Sequence, residues 1–519
     1  MRELNFGYII QKRASYHPDS TALIDQSTGE TRSYGEIDRR SNRIARSLAD
    51  QGVEKGDRVG GLFRNSLEFF DLFFATAKLG AIAVPLNYRL EGPELEYLIE
   101  DSDPSLFIFE EVFASTVSEL SKGDSLDGRT LFSISTLDAE SGTDIETAES
   151  FETLLDNNAE PVDIPDHEPD HPISILYTSG STGRPKGVPL SHKNFFFSSV
   201  GYITDVGLTS EDTTVTSSPI FHVGGLNIFT LPLLQVGGTV ILQKEFVPEE
   251  TWEMMAEYDV TKMFTIPTML NMMISVDGWQ EYDLDSLELM VSGGEPITSD
   301  LKEALQRIDV PLVAAYGLTE TTDGTLFLRP EYSLEKGSKC NGKTFTHVDA
   351  KVVDDDGNEL PPGEKGELIH RGAVVANRYW NRPEATEKAW RDGWFYTGDT
   401  AEKDEDGFYY IYGRQDNMII TGGENVYPSE VEEALYAHGD VAETVVFGKP
   451  SEQWGEQVTA VVTTENDELT AADLEEFLDG KLANFKRPKE YFFTDELPKS
   501  GSGKVQRQNI IDRYTPDQE

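Results

Sequence analysis

The sequence predicts an α/β fold: a large N-terminal domain with mostly parallel sheets, a small β-rich subdomain at its end, and a small α+β C-terminal domain. Three observations predict it. Apolar strands bounded by glycine alternate with helical segments over the first two thirds of the chain, the pattern of sheets flanked by helices. Beyond about Lys343 the texture changes to short strands and turns, and after Arg414 comes a compact unit of about 100 residues with its own strands and helices. With 519 residues the chain is too long for one core.

Taken in order, "TRSYGEIDRRSNRIARSLADQGVEKGDRVGGLF" places Ile37, Ile44 and Leu48 at helical spacing, closes at Gly52 and turns into a strand after Gly56 and Asp57. "FFDLFFATAKLGAIAVPLN" repeats the helix–turn–strand theme. "ISILYTSG", "GGTVILQ", "TKMFTIP", "LELMVSGGEP" and "VPLVAAYG" are further strands, and ligands of such sheets sit at strand carboxyl ends. "KVVDDDGNELPPGEKGELIHRG" and "EDGFYYIYGR" are hairpins with Asp-Gly turns. The last unit has helices "PSEVEEALYAHGD" and "AADLEEFLDGKL", strands "AETVVFGKP" and "EQVTAVVTT", and a glycine-serine loop near its end. No tandem repeat is present.

Hydrophobic residues make up 38% of the chain, enough for globular cores and too many for a disordered protein. The 93 acidic against 44 basic residues give a net charge of −49, which argues against a nucleic-acid binder, since phosphate-backbone binding needs a basic face. Acidic residues are spread along the whole chain, as in "LDAESGTDIETAESFETLLD". The charge is a solvated surface or, the reading preferred here, an adaptation to a salt-rich cytoplasm, where a Debye length of about 3 Å at 1 M screens self-repulsion. The single cysteine, Cys340, rules out an intrachain disulfide and a thiolate metal cluster. The start has no signal-peptide pattern and no run of about 18 apolar residues occurs, so a soluble cytoplasmic protein is expected.

The most informative stretch is "YTSGSTGRPKG", Tyr177 to Gly187. Glycines permit close backbone approach, and hydroxyls, amide N–H groups and a lysine are what phosphate oxygens seek. It is not a Walker A loop, because Lys186 follows Pro185 and precedes Gly187; "SGSGKV" near Lys504 fails the same test, with Pro498 at the required glycine. "EKDEDGFYYIYG" is no calcium loop, since Gly413 stands where a bidentate glutamate is needed.

The stretch resembles the signature of the adenylate-forming superfamily, which includes acyl-CoA synthetases, adenylation domains of peptide synthetases and beetle luciferases. The resemblance runs in order from about Tyr34 to Arg507 through "PIFHVGG", "SGGEP", "YGLTE", "GWFYTGD", "YGRQDNMIITGGENVYPSEVE" and "LPKSGSGKVQR". It implies domains at 1–414, with the β-rich part at about 343–414, and at 415–519, the latter mobile about a hinge near Asp416. Thr178, Ser179, Gly180, Ser181, Thr182, Gly183 and Lys186 correspond to the loop around the β- and γ-phosphates of ATP. Gly293, Gly294, Glu295 and Pro296, with Ala315, Tyr316 and Gly317, match the adenine pocket. The resemblance places Thr319 at the α-phosphate, Glu320 on Mg²⁺, and Asp399 with Arg414 at the ribose.

Lys504 alone would be a solvated tail lysine; the resemblance makes it the cation that bridges acyl carboxylate and phosphate. His222 resembles an active-site aromatic near the acyl carboxylate, either gating access or lining the wall, and Gly422 and Gly423 match a loop of the pantetheine tunnel. Lys486, Arg487 and Lys489 are either CoA-phosphate contacts or solvated surface. Arg64 stands where relatives commonly have proline, and Ile420 is apolar where some carry a basic residue.

The implied enzyme is an ATP-dependent acyl-CoA synthetase using ATP, Mg²⁺ and CoA, with catalytic Lys504, Glu320, Thr319 and His222. The apolar walls "FFFSSVGYITD" and "HVGGLNIFTLPLLQVGG" favour a medium- or long-chain fatty acid, with an aryl acid as the alternative. A catalytically silent nucleotide-binding scaffold is the rival of another class. A homodimer is left open. The charge pattern predicts loss of secondary structure as salt is diluted, read by circular dichroism; full structure and activity at low ionic strength would contradict the salt-adaptation reading.

Overall fold

The structure is a computed structural model. It describes residues 2–515 apart from 91, 124, 139–144, 146–147, 179–184, 295–296, 334, 338, 422–423, 452–453, 467, 480, 483 and 501–503, and at 416, 424 and 425 the backbone only. Among the described residues, four sheets organise the chain. A seven-stranded sheet has the order Ala148–Ser150, Thr130–Ile134, Leu106–Glu110, Arg58–Leu62, Ile82–Leu86, Pro172–Thr178, Lys186–Ser191, parallel except for the last strand. A ten-stranded sheet starts with parallel Lys262–Thr265, Leu289–Gly293 and Leu312–Tyr316 and continues antiparallel through the strands between Leu326 and Arg414. The large domain's mostly parallel sheets, with a β-rich antiparallel part at its end, match the expectation. Short hairpin connections dictate antiparallel pairing, and the hairpins after Cys340 extend a sheet that begins parallel.

A smaller four-stranded sheet, Thr213–Thr216, Thr239–Leu242, Thr21–Asp25 and Thr31–Ser33, joins the N-terminal strand to the middle of the chain. The last sheet is built from residues 419 onward, around the long pair Glu443–Ser451 and Gly455–Thr463. It carries its own core of Val431, Leu435, Val446, Val458 and Leu474. This is the small α+β unit predicted from the sequence.

The helix Leu67–Leu79 shows how composition sets position. Phe69, Phe70, Phe73 and Phe74 are all buried, so a largely apolar helix lies within the core instead of on the surface. Ser66 caps its start, accepting from the Phe69 N–H, and Gly80 ends it at φ 80°, a left-handed C-cap suited to glycine. Its neighbour Tyr34–Asp50 is amphipathic, opened by a reciprocal Ser33/Glu36 capping box, with Ile37, Ile44 and Leu48 inward as predicted. Between the two helices the buried Lys78 ammonium donates to Asp38 at 2.7 Å and Asn42 at 2.8 Å, and burial lowers its pKa to about 8.

Arg64 has a consequence that sequence comparison did not suggest. Its buried guanidinium pairs with Glu110 at 2.7 Å and Asp138 at 2.5 Å, joining the ends of strands Arg58–Leu62 and Leu106–Glu110 to the segment beyond Thr130–Ile134. A proline there would leave Glu110 buried without its partner.

Three histidines clasp the N-terminal helix Phe6–Tyr16 to the core. The rings of His167 and His171 stack at 4.7 Å, those of His167 and His192 at 5.3 Å. The Phe6 N–H donates to His192 Nδ1 at 3.3 Å, and Asn5 Nδ2 lies 2.9 Å from His167 Nε2, contacts that favour neutral rings. Burial, with His171 and Lys55 nearby, lowers the His167 pKa to about 4. The unfolded chain takes up that proton near pH 6.5, so the stabilisation is complete above 6.5 and is lost as pH falls toward 4. Thermal unfolding across this window should show a falling midpoint in the wild type and a flatter profile in His167→Gln.

Candidate active site

Three strand ends converge. Strand Pro172–Thr178 leads into residues 179–184 and Lys186–Ser191 returns beside it, with Thr178 opposite Lys186. Thr178 Oγ1 donates to the Lys186 carbonyl at 3.4 Å. Ser179, Gly180, Ser181, Thr182 and Gly183 lie outside the described residues. The Lys186 ammonium sits 4.8 Å from the centroid of the Tyr379 ring, a cation–π contact, and the Tyr379 hydroxyl donates to Glu320 Oε1 at 2.7 Å. Burial and the Glu320 charge both raise the Tyr379 hydroxyl pKa, so it stays a donor. Lys186, Tyr379 and Glu320 thus form one line, with Glu320 further fixed by the Ala376 N–H on its carbonyl at 2.8 Å. Thr319 opens the same short turn, Thr319–Thr321.

The second end pairs Gly293 with Ala315 on adjacent parallel strands, so close that a Cβ on Gly293 would lie 2.5 Å from the Ala315 carbonyl oxygen. Gly294 follows at φ 82°; Glu295 and Pro296 lie outside the described residues. Tyr316 ends its strand with its hydroxyl donating to Asp399 Oδ2 at 2.5 Å, and Gly317 follows. Asp399 stands opposite Arg414 in the ladder, their side chains 3.5 Å apart. Burial raises the Asp399 carboxyl, opposed by Arg414 and the Tyr316 hydrogen bond. The Tyr316 ring leaves its edge to Asp399 and lies 5.9 Å from the buried His370, whose pKa burial lowers to about 3.

The third element comes from the small unit. Lys504 extends from the bridge Lys499↔Val505 and puts Nζ 3.4 Å from where a Cβ of Gly294 would be. Its charge is felt at His222 and Asp323. His222 precedes the short helix Val223–Asn227 and is held neutral: burial, then Lys504 and Arg89, lower its pKa to about 3. Gly294, His222, Asp323 and Lys504 therefore gather at one place. Sequence reasoning named three of them.

Asp323 and Tyr379 were missed. Tyr379 belongs to "NRYWNRPE", which carries no motif; Asp323 had a readable signal, an acidic residue three positions after Glu320 at a left-handed bend, φ 58°. Asp416 lies in the turn Gln415–Asn417, its side chain undescribed, and Gly422 and Gly423 fall outside the described residues. Lys486 is held by Glu430 at 2.8 Å, Arg487 by Asp479 at 2.7 Å, and Lys489 by Asn484 at 2.9 Å, so the three serve the small unit's own surface in this arrangement. Ile420 is half exposed.

Two family models match the chain: the AMP-binding enzyme over residues 10–380 and the AMP-binding enzyme C-terminal domain over 430–504. The chain is 36% identical over 522 residues to a feruloyl-CoA synthase of an Amycolatopsis species, covering 99% of this chain and 100% of that one. It is 37% identical over 503 residues to the indoleacetate–CoA ligase of Aromatoleum aromaticum, covering 96% of each. Its fold is similar to the anthranilate CoA ligase AuaEII in complex with anthranoyl-AMP, with a TM-score of 0.90 and 26% identity over 98% of this chain and 97% of that one.

Gly398 tests the Asp399–Arg414 pair. It sits at φ 72°, and a Cβ there would lie 2.8 Å from Arg414 Nη2. Gly398→Ala should displace Arg414 from Asp399 and weaken ATP binding about tenfold, measured by calorimetry, since a charge-assisted contact contributes about 1.5–3 kcal/mol.

Proposed function

The chain belongs to the AMP-binding enzyme family and is an AMP-forming acid–thiol ligase that uses ATP, Mg²⁺ and CoA; within that class we propose that its acid is an aryl carboxylic acid. The single observation that carries the chemistry is the Lys504 ammonium delivered beside Gly294, where negative charge develops as carboxylate meets α-phosphate. Glu320, oriented by Tyr379, would ligate the Mg²⁺ that shields the phosphates. Lys186 holds the outer phosphates and Thr319 the α-phosphate. Asp399 takes the ribose hydroxyls, and Tyr316 with the glycine edges of residues 293–294 forms the adenine slot. His222, kept neutral, can border the acyl carboxylate without competing with Lys504 for it.

The reaction runs in two half-reactions. The carboxylate oxygen attacks the α-phosphorus, the bond to pyrophosphate breaks, and the acyl adenylate forms. The small unit, residues 415–519, then turns about Asp416, Lys504 withdraws, and the CoA thiol attacks the carbonyl and displaces AMP. No side-chain nucleophile is needed: positioning and fixed charge lower both barriers. The loop bearing Gly422 and Gly423 would line the thiol's approach.

The sequence-level preference for a medium- or long-chain fatty acid gives way to the aryl alternative. Feruloyl-, indoleacetate- and anthranoyl-directed relatives support it. A silent scaffold would need neither Lys504 at the nucleotide nor Tyr379 on Glu320.

Exchange of labelled pyrophosphate into ATP over a panel of aryl and alkyl acids tests the reading, and CoA is then added to follow thioester formation. Lys504→Ala should slow adenylate formation about 10²–10³-fold and thioester formation from supplied acyl-AMP far less. Equal loss in both steps would refute the role given to Lys504.

A further inference from the structure

We propose that Lys365 is a positioning residue for the two half-reactions: its ammonium, seated between a ring of the large unit and a ring of the small one, holds the small unit in the arrangement that brings Lys504 to Gly294. The inference rests on the reading above, in which the small unit turns about Asp416 between adenylate and thioester formation.

The contact lies beside the hinge. Tyr412 belongs to strand Tyr409–Arg414, just ahead of the turn Gln415–Asn417, and Tyr427 directly precedes the helix Pro428–Tyr436 of the small unit. Their ring centroids are 5.4 Å apart, the planes tilted by 47°. Lys365 opens the strand Lys365–Gly372, opposite Glu402 in the ladder. Its Nζ lies 3.6 Å from the Tyr412 centroid and 4.6 Å from that of Tyr427, so one cation touches both units at once. The Tyr412 hydroxyl donates to Glu402 at 2.9 Å, which fixes that ring under the ammonium. From the small unit Glu430 reaches to 3.7 Å from Lys365, and Ser429 Oγ donates to the Tyr412 carbonyl at 2.6 Å.

These contacts depend on the arrangement of the two units. Lys365 and Tyr412 come before Asp416 in the chain and Tyr427, Ser429 and Glu430 after it, so a rotation about Asp416 parts the two sets. A contact made in one arrangement and lost in the other adds its whole free energy to the equilibrium between them. Burial lowers the Lys365 pKa, with Glu430 opposing, and a cation–π contact strengthens as the ammonium loses water. The exposed Lys339–Glu433 pair at 3.0 Å across the same seam contributes little by comparison. The seam also opens without stranding a charge. Glu430 keeps Lys486 at 2.8 Å within the small unit, Tyr412 keeps Glu402, and Lys365, already partly exposed, takes up water. The device therefore holds one arrangement and still releases it.

The test measures both half-reactions in the full-length protein: exchange of labelled pyrophosphate into ATP with benzoate, cinnamate, indoleacetate and decanoate, then thioester formation from CoA and the supplied acyl-AMP of the fastest acid. Where each rate follows the fraction of molecules in its own arrangement, their ratio follows the equilibrium constant itself. Lys365→Met, which keeps the apolar stem and drops the charge, should shift that ratio about tenfold toward thioester formation. Lys365→Arg, which keeps a cation at the rings, should stay within about twofold of the wild type. Tyr427→Leu should shift the ratio the same way, and Lys365→Met added to it should shift it little further, because the two act through one contact. Equal slowing of both half-reactions by Lys365→Met, or a ratio it leaves unchanged, would overturn the role of Lys365 while leaving the turn intact. Lys504→Ala slowing both half-reactions alike would instead remove the turn itself, and the proposal with it.

Discussion

One ammonium organises this molecule. Among the described residues, the Lys504 side chain of the C-terminal unit reaches Gly294, and its ammonium lies 3.4 Å from where a Cβ would stand there. His222 is kept uncharged beside it, Asp323 is near enough to feel it, and the backbone turn at Gly294 offers no side chain to block it. A fixed positive charge in a partly desolvated site acts on developing negative charge far more strongly than the same lysine would in water. In the proposed mechanism it must also be removable, because the acyl carbonyl has to be exposed to the thiol afterwards, and a place on a separate small unit would meet both demands.

The large unit answers with rigidity. The strands that end at Thr178, Gly293 and Tyr316 are held in their ladders, and elsewhere in the large unit buried ion pairs join partners far apart in sequence, Arg64 with Glu110 and Lys78 with Asp38. Such pairs cost desolvation and add little net stability, but removing one partner is severe, so they fix geometry more than they strengthen the fold. The Lys186–Tyr379–Glu320 line fixes positions in the same way. One tyrosine receives a cation on its face and donates from its hydroxyl to a carboxylate, holding two opposite charges at set places without letting them pair.

The surroundings of Gly224 differ in character: the Phe264 ring edge and the Asp323 carboxylate both close on this glycine. A pocket of that composition discriminates weakly by size and strongly by hydrogen bonding, since a methylene is worth little and an unmet polar group much.

The sequence by itself determined the elements and the nucleotide chemistry, because both are local. Periodicity marked Tyr34–Asp50, Asp-Gly turns marked the hairpins after Cys340, and the phosphate-loop, "SGGEP", "YGLTE" and "GWFYTGD" stretches each carry their groups within a few residues. Tertiary structure decided what depends on contacts between distant positions. It set Tyr379 against Glu320 across 59 residues, gave Arg64 a partner 46 residues away, turned a parallel sheet antiparallel at Leu326, and brought Asp323 over Gly224. None of these has a periodicity or spacing to read. Each exists only because packing of the sheets places side chains whose separation along the chain carries no information about their separation in space.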